Sequence, residues 1–151
     1  MVLAIIQARM TSTRLPGKVL AELDGMPLLE YLLRRIETSK TLTNVVVATT
    51  GNGSDDPVAS LCDKLRVNRY RGAEHDVLTR FVGAAATFED ETIVRLTADC
   101  PMIDPALVDQ IVSFFVGSGF DYASNAIRRT FPDGLDVEVF RRSALDRAHD
   151  E

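Results

Sequence analysis

At 151 residues, 46% of them hydrophobic and 26% charged, the chain suits one globular domain with a sizeable core. Its net charge of −5 argues against a nucleic-acid polymer or a membrane surface as partner, because the overall field repels phosphate-rich surfaces. Cys62 and Cys100 lack metal-ligand spacing, and His75 and His149 are isolated, so no zinc site is expected and the thiols are expected to be reduced, as in the cytoplasm.

The first apolar run, 2–7, is too short for a membrane span and has no basic segment before it, so it reads as a buried strand rather than a signal peptide. It leads into Ala8-Arg9-Met10-Thr11-Ser12-Thr13-Arg14-Leu15-Pro16-Gly17-Lys18, a loop with three cations, three hydroxyls and a Pro-Gly corner. A turn at Asp24-Gly25 follows, and Pro27 suits the first turn of a helix whose Leu28, Leu29, Leu32, Leu33 and Ile36 share one face. Residues 45–49 are a β-branched buried strand, and Asp56-Pro57 reads as an N-cap followed by proline. Val58, Leu61, Cys62 and Leu65 then make a second stripe, and 66–70 is a short strand near a sheet edge.

Asp76 is placed to cap a third helix, over Val77, Leu78, Phe81, Val82 and Ala85. Residues 92–97 form the next strand, ending at Ala98-Asp99-Cys100-Pro101. Asp104-Pro105 opens a fourth helix, closed by Gly117 and Gly119. A short strand at 121–124, a turn at Phe131-Pro132-Asp133-Gly134, an alternating strand at 135–140 and a helix from Ser143 complete the chain. Strands alternate with helices, so right-handed βαβ units and a mostly parallel α/β sheet are expected. The last helix is short for a natural terminus, which raises the expectation of a C-terminally truncated fragment, a single incomplete domain over 1–151.

Four stretches carry chemistry. In the opening loop, Arg14 offers a planar fork and Lys18 a mobile point charge to phosphate oxygens, with Ser12 and Thr13 adding hydroxyls. The loop is not a Walker P-loop, since Val19 follows Lys18, and no Gly-x-Gly-x-x-Gly occurs. A solvated charged loop is the plain alternative. Asp99, just past a buried strand, can hold Mg²⁺ beside a triphosphate or serve only as a turn residue. The stretch Tyr70–Leu78 can meet a base or ribose through Glu74, Asp76 or backbone groups, although a plain N-cap is the favoured reading of Asp76. Asn125, Asp133 and Asp136 belong either to a sugar or metal site or to a hairpin with exposed acids.

Gln7-Ala8-Arg9 with Ser12-Thr13-Arg14-Leu15-Pro16-Gly17-Lys18 resembles the signature of the CMP-sugar synthetases, the cytidylyltransferases for acylneuraminate and 3-deoxy-manno-octulosonate, and most of all the spore-coat polysaccharide biosynthesis protein F branch. Arg71-Gly72 to Leu78, Arg95-Leu96-Thr97-Ala98-Asp99-Cys100-Pro101 and Pro132-Asp133-Gly134-Leu135-Asp136-Val137 are similar to that branch too. The resemblance implies a three-layer α/β/α Rossmann-like nucleotidyltransferase fold. It implies Mg²⁺-dependent transfer of CMP from CTP to a sugar acceptor, with release of pyrophosphate. Carried over by position, it puts Arg14 and Lys18 on the phosphates, Gln7, Ala8, Arg9, Ser12 and Thr97 around CTP, Asp76 near the base, and Asp99 on the metal. Asp136 is then the candidate for a second metal carboxylate. Members of the family are usually longer, and a homodimer is left open. Two other readings stand beside this one. A glycosyltransferase would need an acidic metal motif such as Asp-x-Asp, and none occurs near Asp99. A non-catalytic or truncated nucleotide-binding module would bind CTP without turnover.

Overall fold

Residues 2–6 are apolar on both alternating faces, so the strand they form must be covered from two sides. In a computed structural model, which describes all of residues 1–151, that strand is the third of six in one sheet. In chain order the elements are β1 (Val2–Gln7), β2 (Glu22–Leu23), β3 (Met26–Pro27), α1 (Leu28–Ile36), β4 (Asn44–Thr50), α2 (Asp56–Leu65), β5 (Asn68–Gly72), α3 (Val77–Ala85), β6 (Thr92–Thr97), α4 (Pro105–Ser118), β7 (Tyr122–Ser124), β8 (Glu138–Arg141) and α5 (Arg142–Asp150). The sheet order is β5-β4-β1-β6-β8-β7, with β5, β4, β1 and β6 mutually parallel and β8 antiparallel to both its neighbours.

Strand alternation sorts the helices into two layers. Val2, Ala4 and Ile6 pack with Leu29, Leu32 and Ile36 of α1, Val58 and Cys62 of α2, and Val108, Val112 and Phe115 of α4. Leu3 and Ile5 face the other way, onto Phe81, Ala84 and Ala85 of α3 and Leu145 of α5. The expected three-layer α/β/α architecture follows. Each wholly buried Leu or Ile contributes about 1.5–3 kcal/mol relative to exposure. No helix is long and apolar enough to cross a membrane.

Several boundaries differ from the sequence expectations, each for a local reason. Pro27 lies outside α1, in the two-residue β2–β3 ribbon, and serves as the helix N-cap. The N-cap of α2 is Asp55 rather than Asp56, which is already helical. The strand expected at 66–70 runs 68–72, because Arg66 takes a left-handed conformation (φ 57°) that closes α2 and Val67 still bonds back to Cys62. The strand expected at 135–140 is regular only from Glu138. Upstream, Asn125 brackets the chain, its Nδ2 donating to the Leu135 carbonyl at 2.8 Å and its Oδ1 accepting from Val137 N at 2.8 Å. Both cysteines are free, and burial pushes the Cys62 thiol up to about 11.

Candidate functional site

The chain runs outward from β1 to β4 and β5, then returns to place β6 on the other side of β1. Strand order therefore reverses between β1 and β6. In an open α/β sheet, the crevice outside the carboxyl ends of the strands at such a point is where ligands bind. Gln7 and Thr97, the last residues of the two strands, are register partners there.

A cavity of about 240 Å³ opens at that place, lined by Gln7, Arg9, Ser12, Thr13, Arg14, Lys18, Val19, Arg95, Thr97 and Asp99. Four of these side chains are cationic and one is acidic, so a chain of net charge −5 concentrates positive charge in this crevice. Lys18 Nζ hydrogen-bonds and ion-pairs with Asp99 Oδ2 across the mouth. Burial alone raises the Asp99 carboxyl, but the hydrogen bond and charge of Lys18, helped by Thr97, outweigh it and hold the group below its ordinary value.

The loop from Ala8 to Lys18 keeps its shape through specific contacts. Gly17 adopts φ 73°, a conformation that glycine takes without steric cost, and its N–H donates to the Met10 carbonyl at 2.8 Å. Lys18 and Leu20 then bond back to Leu15 and Gly17 in a short 3₁₀ turn that aims Lys18 at Asp99. Asp55, wholly buried, accepts from Met10 N at 2.7 Å and from Thr50 N at 3.1 Å, and also takes the Thr50 hydroxyl. It ties the loop to the end of β4. Glu74 accepts from Thr11 Oγ1 at 2.7 Å and from Asn52 Nδ2.

The crevice thus gathers Gln7, Arg9, Ser12, Arg14, Lys18, Thr97 and Asp99 of the residues expected from sequence. Ala8 is buried in the core beneath the cavity, its N–H donating to the Ala48 carbonyl. Asp76 does not line the cavity. It caps α3, accepting from Thr79 N at 2.9 Å and Thr79 Oγ1 at 2.7 Å. Asp136 pairs with Arg129 at 3.4 Å, outside the cavity lining. It still lies near enough to Cys100 that its charge, with that of Asp99, adds to the burial that raises the thiol. No three His, Cys, Asp or Glu side chains converge as a metal cluster, so a cation here would depend on one or two carboxylates plus ligand oxygens, a donor set that suits Mg²⁺.

Arg95 was not singled out as a site residue from sequence, yet it joins the cavity to the rest of the sheet. Its Nη1 donates to Glu138 Oε1 at 2.6 Å and its Nη2 to Gln7 Oε1 at 3.4 Å. Tyr122 OH donates to the other Glu138 oxygen at 3.1 Å. Arg95 also borders an apolar groove of about 390 Å³ between α3 and α5. The available signal was a lone charge in an otherwise uncharged strand, Thr92-Ile93-Val94-Arg95-Leu96-Thr97.

A family model described as cytidylyltransferase matches residues 3–151. The chain belongs to the cytidylyltransferase family. It is 42% identical over 150 residues to the spore coat polysaccharide biosynthesis protein SpsF of Bacillus subtilis, covering 95% of this chain and 60% of that protein. It is 34% identical over 116 residues to the 8-amino-3,8-dideoxy-manno-octulosonate cytidylyltransferase of Shewanella piezotolerans, covering 74% of this chain and 46% of that one. Among solved structures, a cytidylyltransferase from Leptospira borgpetersenii superposes with a TM-score of 0.94 at 39% identity, covering 99% of this chain and 63% of that chain. The chain spans at most about three-fifths of the length of the curated relatives it matches.

Proposed function

We propose that this cytidylyltransferase-family chain binds CTP in the crevice between β1 and β6 and takes part in transfer of CMP to a sugar hydroxyl. The observation that carries the reading is the convergence of Arg9, Arg14, Lys18 and Arg95 on one cavity with Asp99 at its mouth. Four cations around one carboxylate suit a polyphosphate with a metal better than they suit a neutral ligand. Family membership favours this over a glycosyltransferase. The names of the SpsF and octulosonate relatives support a sugar as acceptor.

In this reading Arg14 and Lys18 grip the phosphates, Gln7, Arg9, Ser12 and Thr97 line the nucleotide, and Ala8, packed in the core between Gln7 and Arg9, anchors that stretch. Asp99 is the oxygen donor for Mg²⁺, with Asp136, near Cys100, as the second carboxylate. When bound, the metal would offset charge on the phosphate oxygens. The acceptor hydroxyl attacks the α-phosphate in line. The new O–P bond forms as the bond from the α-phosphorus to the bridging oxygen of the β-phosphate breaks, pyrophosphate leaves with that oxygen, and the hydroxyl proton passes to solvent. Lys18 and Arg14 stabilise the charge that develops on the leaving group, so the chain acts by positioning and electrostatics without a covalent intermediate.

Calorimetric titration with CTP, UTP, ATP and GTP, with and without Mg²⁺, tests the proposal. CTP is expected to bind more tightly than the other three, and more tightly with Mg²⁺. Absence of any nucleotide binding would sink it.

A further inference from the structure

The groups that hold the opening loop are acids and an arginine outside the cavity. Glu74 sits in the bend between β5 and α3, and both of its oxygens are used, one by the Thr11 hydroxyl and the other by the Asn52 amide. Its side chain therefore joins the loop after β1 to the loop after β4. The bend is itself fixed from below. Arg80 of α3 is wholly buried, and its Nη1 donates to the carbonyls of Ala73 and of Glu74, the latter at 3.2 Å. A Cβ at Gly72 would come within 2.8 Å of Tyr70 Cε1 and 3.2 Å of Arg80 Cγ, so the glycine lets the strand end pass close over that arginine. Burial, together with the charge of Arg9, pushes the Arg80 guanidinium below its ordinary value, and the charges of Asp55, Asp76 and Glu74 offset this only in part. Arg9, which lines the cavity, is close enough to Glu74 for its charge to favour the ionised carboxylate.

We infer that Glu74 is a positioning residue for phosphate binding: its carboxylate, carried on a bend whose backbone carbonyls are held by buried Arg80, holds Thr11 so that Arg9, Ser12 and Arg14 are preset around the triphosphate. The inference rests on the nucleotide reading above and deepens it. Glu74 acts through Thr11 and does not itself touch the nucleotide. Removing either partner frees the loop without removing any cation from it.

The variants that test this are Glu74→Met, Thr11→Val, their combination, and the conservative Thr11→Ser and Glu74→Gln. Affinity is measured for CTP and for cytidine, which has no phosphates. Amide hydrogen exchange over residues 8–18 is followed in the nucleotide-free chain. Glu74→Met and Thr11→Val are each expected to weaken CTP by about tenfold, the scale of one lost hydrogen bond to a charged group, while leaving cytidine unchanged. The double variant is expected to lose no more than Glu74→Met alone, because that variant already removes the Thr11 contact along with the one to Asn52. Thr11→Ser, which keeps the hydroxyl, and Glu74→Gln, which keeps one accepting oxygen, are expected to recover most of the affinity. Exchange over the loop is expected to rise in Glu74→Met and Thr11→Val. Weaker cytidine binding in Glu74→Met with normal CTP binding in Thr11→Val would mean that Glu74 touches the base, and would overturn the inference. Unchanged loop exchange in Glu74→Met would overturn it as well. If the parent chain binds no CTP, the nucleotide reading fails by itself, and the exchange measurement still decides whether Glu74 holds the loop.

Discussion

Lys18 and Asp99 form an ion pair whose side chains are 19% and 33% exposed, so solvent screens it. Pairs of that kind contribute about 0–1 kcal/mol to stability. Its value to the molecule must lie in what the two groups do at the crevice mouth. Lys18→Met is therefore expected to shift the thermal midpoint by no more than about 3 °C while weakening CTP by tenfold or more. It should also let Asp99 titrate nearer its ordinary range, since Lys18 supplies most of the lowering. Melting curves, calorimetry and a carboxylate NMR titration check the three readouts. A variant that melts far earlier would make the pair structural. Arg14, Lys18 and Asp99 were legible because they lie just past apolar strands, where side chains reach the crevice. Glu74 reads in the sequence as a candidate contact to a base or ribose, not as a brace for the opening loop. Its partners Thr11 and Asn52 are 63 and 22 positions away, and no local pattern encodes a contact at that separation.

At the scale of elements, strands and helices followed from hydrophobic period, while their ends followed from single side chains. Asp55-Asp56-Pro57 illustrates the point. Either aspartate satisfies a capping rule, and only burial decides which one turns inward. Asp55 is wholly buried and serves Met10 N, Thr50 N and Thr50 Oγ1, whereas Asp56 is an exposed partner of Arg71 at 2.8 Å. Asp55→Ala strands two backbone N–H groups, so it is expected to cost about 3 kcal/mol or more. Asp56→Ala should cost under about 1 kcal/mol. Denaturant unfolding of the two variants checks this order. Equal losses would mean that Asp55 does not tie the opening loop to β4. Asp76 makes the opposite case: the capping rule identified its role correctly, and its contacts to Thr79 leave it as a helix cap.

For the whole molecule, alternation of strands and helices was enough to expect a parallel α/β sheet, and the strong apolar strands made its centre plain. The return of β6 to the far side of β1 was not legible, because strand order depends on long-range pairing rather than on local pattern. That return makes the crevice, and it brings Asp99 to a loop 81 positions earlier in the chain. The net charge of −5 masked four cations gathered at one place. The central claim is that a triphosphate lies in that place. A crystal structure of the chain soaked with CTP and Mg²⁺ tests it most directly. The account predicts phosphate oxygens within hydrogen-bonding distance of Arg14 and Lys18, between the ends of β1 and β6. Nucleotide density in the apolar groove between α3 and α5, with the β1–β6 crevice free of it, would contradict the account.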